Sequence, residues 1–206
     1  MGSKAFVLIE GYKEVLKGAV VEIGADSPIF QEGSTPFFAH FCREQKLPFY
    51  SIDFDVQAYN RIKEVEGVRA FNMKGEDFLR NEFPTFGQKI AFAYLDNYDW
   101  IYDRHHSSPP VWMDRMRNGY EKYGYDLNNE KSQESHLLQA IEVERLKADV
   151  CVVIFDDTWQ EEDGTFNGKG GAALPYLLSH GFELLERPRI GYGSSHDSYV
   201  IVGVGF

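Results

Sequence analysis

Five short apolar runs of this 206-residue chain end on acidic side chains. The first closes on Glu22-Ile-Gly24-Ala25-Asp26 and the second on Asp53-Phe54. The third leads into Met73-Lys-Gly75-Glu76-Asp77, the fourth ends in Asp96, and the fifth in Asp156-Asp157. Each position has a chemical use. Gly24 permits a tight strand-to-helix turn and close backbone approach of a ligand. A carboxylate ending the second run is placed to accept from ribose hydroxyls, as in dinucleotide-binding folds. Glu76 or Asp77 could accept an adenine amino proton, with Met73 packed on the ring. Asp156 and Asp157 raise a separate question, because adjacent carboxylates repel each other and desolvate badly.

The elements that must position these residues are legible as alternating strands and helices. Residues 19–24, 49–54, 68–73, 90–95 and 150–155 read as strands. Residues 35–46 read as a helix, with Ser34 or Thr35 as N-cap and Pro36 at its first position. Further helices are predicted over 55–65, with Ala58, Ile62 and Val65 on one face, over 134–147, and over 172–178, the last ended by Gly181. Residues 182–186 and 199–204 read as two closing strands. This alternation, with near-continuous apolar strands, implies an α/β fold whose parallel sheet is covered on both faces. The length suits a single domain over residues 1–206. One segment breaks the rhythm: from about Tyr98 to Lys131 the chain is polar, aromatic and irregular. Its five tyrosines and two tryptophans argue against disorder. We read it as a lid insertion, about residues 98–131, over the carboxyl ends of the strands.

Composition excludes several classes. Hydrophobic residues make up 43% and aromatics 15%, as in a globular chain. Twenty-one basic against 32 acidic residues give a formal net charge of −11. Such a surface repels phosphate backbones, and the basic residues around Arg115 and Arg117 are diluted by Asp114 and Glu121. No nucleic-acid partner is expected. No apolar run is long enough to span a membrane, and no secretory signal is visible. The two cysteines, Cys42 and Cys151, read as free core thiols, which points to the cytoplasm.

The order of these motifs resembles the class I S-adenosylmethionine-dependent methyltransferases, over nearly the whole chain from Ala19 to Phe206. VVEIGAD looks like their first motif, FYSIDFD like their second, and GEDFL like the adenine-contact segment. The resemblance implies a Rossmann-like, seven-stranded, mostly parallel sheet. The last strand would run antiparallel, inserted beside strand five. It also implies a cofactor site from Glu22, Gly24, Ala25, Asp26, Ser34, Asp53, Phe54, Gly75, Glu76, Asp77 and Asp96. Asp53 would take the ribose, and Glu76 and Asp77 the adenine side. The chain departs from the family where a second loop glycine is usual, because that position is Asp26. An NAD-type dehydrogenase would need a glycine-rich phosphate cradle. A carboxylate there suits a cationic sulfonium better than a pyrophosphate.

LDNYDW and FDDTW further resemble the metal-dependent small-molecule O-methyltransferases of the catechol and macrolide-sugar type. That resemblance implies Asp96, Asp156 and Asp157 around Mg²⁺, with Asp96 and Asp156 in catalysis. His136, near the start of the long helix that faces the site in this architecture, could serve as general base. Read from the residues alone, the aspartates could equally cap a helix, close a turn, or pair with a lysine such as Lys169. A histidine in such a place is more often a surface or packing residue. His105 and His106 sit in the insertion as weak metal candidates, and His40, His180 and His196 read as structural. The aromatics Tyr98, Trp100, Tyr102, Trp112, Tyr120, Tyr123 and Tyr125 either line an acceptor pocket, pack the insertion down, or form a contact in a homo-oligomer. The expected activity is methyl transfer to a small hydroxylated acceptor. The alternative is an inactive protein of the same fold that keeps a cofactor or nucleotide.

Overall fold

The computed structural model describes residues 5–25, 33–101, 111–191 and 198–206. Its seven-stranded sheet contains β1 (Ala19–Ile23), β2 (Phe49–Asp53), β3 (Val68–Asn72), β4 (Ile90–Leu95) and β5 (Lys147–Asp156). A two-stranded hairpin follows, β6 (Thr158–Gln160) and β7 (Phe166–Gly168), and then β8 (Glu183–Leu184) and β9 (Tyr199–Val204) complete the sheet. The sheet order is β3-β2-β1-β4-β5-β9-β8. β1 to β5 pair in parallel, while β9 runs antiparallel between β5 and β8. This is the Rossmann-like arrangement expected from the sequence.

Every residue of β1 and β4 is buried, because helices cover both faces of the sheet centre. On one face α1 (Ser34–Gln45) and a 3₁₀ segment (Ala5–Tyr12) bury Phe38, Phe41, Phe6 and Ile9 against Val20, Phe92 and Ile154. On the other, α5 (Asn129–Leu146) and α6 (Ala173–Ser179) bury Val143, Leu146, Leu174 and Leu177 against Val21, Ala93 and Val153. The smaller helices are α2 (Val56–Ile62), the turn α3 (Gly75–Asp77) and α4 (Val111–Lys122). After α3 the chain makes a π turn and a 3₁₀ turn through Phe86 that bury Phe78 and Phe83. Cys42 and Cys151 are buried and free. Among the described residues no helix is long and apolar enough to cross a membrane.

Three elements differ from the sequence expectation. α1 starts at Ser34 with Gly33 as an N-cap that supplies no side-chain bond, so neither Ser34 nor Thr35 caps it. Their hydroxyls go to a buried carboxylate instead, as described below. α5 begins at Asn129 rather than Glu134, because Asn128 caps it by accepting from Lys131 N. The β6–β7 hairpin was not anticipated: its apolar content is low, and its pairing with itself is set by the turn at Gly164.

Candidate functional site

The parallel strands end along one edge of the sheet, and the acidic residues read from the sequence lie along it. Gly24, at the end of β1, has φ +92°, and a Cβ there would lie 2.5 Å from the Asp96 carbonyl carbon and Asn97 N. Only glycine allows β1 and β4 to approach so closely, and the approaching group is the β4 main chain. Asp26 lies outside the described residues.

Glu22 is fully buried one turn of the pleat below this rim. Its Oε1 accepts from Ser34 Oγ at 2.5 Å, and its Oε2 from Thr35 Oγ1 at 2.7 Å and Ser51 Oγ at 2.5 Å. Three hydroxyls thus tie β1 to β2 and to the first turn of α1. Two residues given to the cofactor by resemblance, Glu22 and Ser34, are bonded to each other.

Asp53 ends β2 with each oxygen bonded to a main-chain donor: Oδ2 to Ala25 N at 3.0 Å, Oδ1 to Asp55 N at 2.7 Å. Burial pushes its carboxyl up to about 6, against the pull of those two N–H groups. The adjoining Phe54 lines a small pocket together with Lys74, Glu76, Asn97, Tyr98, Tyr125 and Ser135. Glu76 Oε2 accepts from Ser135 Oγ and from Gln139 Nε2, each at 3.2 Å. Asn97 Oδ1 and Gln139 Oε1 are buried acceptors with no donor among the described residues, and of the two only Asn97 lines the pocket. Gly75 lies beneath the pocket wall, where a Cβ would collide with the Ile23 side chain and meet Gln139 Nε2 at 3.1 Å. Asp77 follows it in α3 and does not line the pocket. Asn97, Ser135 and Gln139 were not singled out in the sequence, because only the β4–α5 contact brings them to Glu76.

At the ends of β4 and β5 the adjacent aspartates diverge. Asp156 continues β5 and turns toward α1, where Tyr94 Oη donates to its Oδ2 at 2.8 Å. Asp157 sits at φ +47°, in the left-handed region that aspartate tolerates better than most residues. Its Oδ2 faces Lys169 Nζ at 3.0 Å, and the same ammonium donates to Asp96 Oδ1 at 2.6 Å. Burial alone would lower the Lys169 pKa. The carboxylates of Asp157, Asp96, Asp99 and Asp156 outweigh it and hold the ammonium charged. Burial, then Asp157, raises Asp156 to about 6, with Lys169 pulling the other way.

These positions correct the expected Mg²⁺ site. Asp96, Asp156 and Asp157 do not converge on a common point: Asp156 is committed to Tyr94, and Lys169 lies between the other two. Among the described residues no group of three His, Cys, Asp or Glu side chains is placed to hold a metal ion. The donor set does not fit the ion. Lys169 carried a signal in the sequence, as the first basic residue after the aspartate pair and the only side chain in Gly168-Lys-Gly-Gly171.

His136 is buried in the second turn of α5, not at its start. Its Nδ1 lies 2.7 Å from the Ser132 carbonyl and must carry the hydrogen, which leaves Nε2 a lone pair with no described partner. Burial, then Lys169, lowers its pKa to about 3, so the ring is neutral and weakly basic at pH 7. The insertion packs onto Phe54 through Tyr120, Tyr123 and Tyr125, with centroids 5.3, 5.8 and 5.2 Å away. Tyr123 Oη donates to Asp55 Oδ1 at 2.8 Å, and Trp100 meets Trp159 edge-on at 6.1 Å. Tyr98 lines the pocket and is held at φ +55°. Tyr102, His105, His106 and His196 lie outside the described residues. His40 is exposed beside Arg43, and His180 stacks on Tyr176.

No protein-family model matches the chain, and no curated protein sequence matches it. Solved structures do match its fold. One is a protein of Streptococcus mutans provisionally named a methyltransferase, in complex with SAH: 11% identity, TM-score 0.54, covering 98% of this chain and 99% of that one. A second, from Clostridium thermocellum, is provisionally named an rRNA methylase: 9% identity, TM-score 0.51, with 98% and 97% covered. A third is the apo form of CalS11, a TDP-rhamnose 3′-O-methyltransferase of calicheamicin biosynthesis: 12% identity, TM-score 0.55, with 96% and 76% covered. The chain therefore has the Rossmann-like methyltransferase fold.

Proposed function

We propose that this chain is a cytoplasmic S-adenosylmethionine-dependent methyltransferase acting on a small hydroxylated acceptor, such as a sugar, a natural product or a phenol. The observation that carries this reading is the Asp53 carboxylate, fixed by two main-chain N–H groups next to Phe54, which lines the pocket over β2, β3 and β4. Each oxygen keeps a lone pair for a ribose hydroxyl. The unpaired Asn97 carbonyl in the pocket wall suits the adenine amino group or another cofactor donor. Carboxylates along the rim attract a cationic ligand and disfavour a pyrophosphate. The neighbouring fold crystallised with SAH and the sugar O-methyltransferase of similar fold support the same reading.

The bound cofactor would supply a methyl group on a sulfonium, open to in-line attack. The chain would hold the sugar–base end through Asp53 and the Phe54 pocket, and the acceptor near Asp96 and Asp157. Orientation would contribute much of the acceleration. A protein that binds the cofactor without transferring its methyl group is the second reading, favoured by the weak basicity of His136. Calorimetry with S-adenosylmethionine and SAH tests both. No heat and no thermal shift at millimolar cofactor would sink both, while binding without turnover on sugars and phenols would select the second.

A further inference from the structure

The side of the cleft over β4 and β5 contains a cation that belongs to the chain. Lys169 is 1% exposed. Its ammonium donates to Asp96 Oδ1 at 2.6 Å and to the Asp96 carbonyl at 3.2 Å, and is ion-paired with Asp157 Oδ2 at 3.0 Å. The side chains of Asp96 and Asp157 are 29% and 36% exposed. The cluster thus shows the cleft its carboxylates and keeps its ammonium behind them.

This placement is built into the backbone. β7 returns along β6, pairing Thr158 with Gly168. A Cβ at Gly168, which has φ +81°, would collide with the Asp157 carbonyl. Lys169 N donates to that carbonyl at 3.0 Å, and Gly170 N to Thr158 Oγ1 at 2.9 Å. The hairpin therefore delivers residue 169 directly against Asp157. A divalent ion bridging Asp96 and Asp157 would have to displace an ammonium that the same two carboxylates already neutralise.

We propose that Lys169 is a positioning residue that stands in for a divalent metal ion: it neutralises Asp96 and Asp157 from behind, leaves Asp96 to accept from a hydroxyl or amine N–H of the acceptor, and makes the site independent of metal. The assignment of this side of the cleft to the acceptor rests on the methyltransferase reading, whereas the cation replacement does not.

Metal titration of the whole protein, without cofactor, separates the two. For the wild type we expect no calorimetric heat with Mg²⁺ or Mn²⁺ at millimolar concentration, and no change of Tm on adding either ion or EDTA. Lys169→Ala removes the internal cation. Its Tm should fall, and Mg²⁺ or Mn²⁺ should then give a saturable heat and raise Tm by at least about 3 °C. Lys169→Arg should remain blind to metal, and adding Asp157→Asn to Lys169→Ala should abolish the metal response. A purely structural lysine would show no such rescue, so a folded Lys169→Ala without a metal response overturns the proposal. So does a saturable Mg²⁺ heat in the wild type that Asp96→Asn removes. If Lys169→Ala fails to fold, the wild type and Lys169→Arg decide: metal blindness in both supports the proposal, and metal binding by either overturns it. If S-adenosylmethionine fails to bind, only the acceptor assignment falls.

Discussion

Glu22 on β1 and the Asp96–Lys169–Asp157 cluster over β4 and β5 face the same physical problem, a carboxylate withdrawn from water, and solve it differently. Glu22 is completely buried and satisfied by three neutral hydroxyls, each brought by a different position of β2 or α1. Asp96 and Asp157 keep part of their surface and are satisfied by a charge. Hydroxyl donors can be distributed, so the Glu22 centre ties three segments together and leaves nothing for a ligand. A single ammonium concentrates the compensation on one side of the pair, and both carboxylates stay partly exposed. The first arrangement builds the cleft, and the second equips it.

The comparison can be broken from either end. Glu22→Ala should have the largest effect. It leaves the Ser34, Thr35 and Ser51 hydroxyls facing a cavity and should cost about 3–5 kcal/mol in denaturant melts. Divalent metal should rescue none of this loss. Lys169→Met should cost less, about 2–3 kcal/mol, because the carboxylates it abandons are partly solvated. Its deficit should shrink as pH falls, since those carboxyls can take up protons, whereas the Glu22→Ala deficit should not show that dependence.

Asp53→Ala should weaken S-adenosylmethionine binding at least about tenfold, through lost charge-assisted hydrogen bonds of about 1.5–3 kcal/mol. Unchanged affinity by calorimetry would remove Asp53 from the site. A pH titration is the subtler version. With the Asp53 carboxyl pushed up to about 6, cofactor affinity should fall as pH drops through that value, approaching about tenfold per unit below it. Stability should move the opposite way. A raised carboxyl pKa means that the folded state holds a proton that the unfolded chain releases. This contribution is full below the unfolded value and lost as pH rises through about 6. Asp156, also near 6, adds to the same trend, and Asp156→Asn should flatten part of it. The smallest effect belongs to Tyr123→Phe. Losing the bond to the half-buried Asp55 should cost about 1 kcal/mol or less, read as faster hydrogen exchange in residues 120–126.

The sheet was legible because its central strands are buried on both faces. β4 runs over the same residues, Ile90–Leu95, that its apolar content marks out. The antiparallel last strand followed from the motif order. The start of α1 misled because Ser34 and Thr35 are good capping residues by type, and nothing local reveals that Glu22 would claim their hydroxyls. The first turn of α5 was hidden by its polar composition, and the β6–β7 hairpin by its shortness.

At the site, the sequence by itself determined which strand ends carry acids, since a carboxylate where an apolar run stops is a local fact. It also set the glycine at position 24 and the aromatic content of the insertion. Only the tertiary structure decided what each acid meets. Glu22 meets hydroxyls, Asp53 main-chain N–H groups, Asp156 a tyrosine, and Asp96 and Asp157 a lysine 73 and 12 residues further along the chain. The physical reason is that a buried charge must be compensated within a few ångströms, and which donors lie that close depends on strand register and hairpin return rather than on sequence distance.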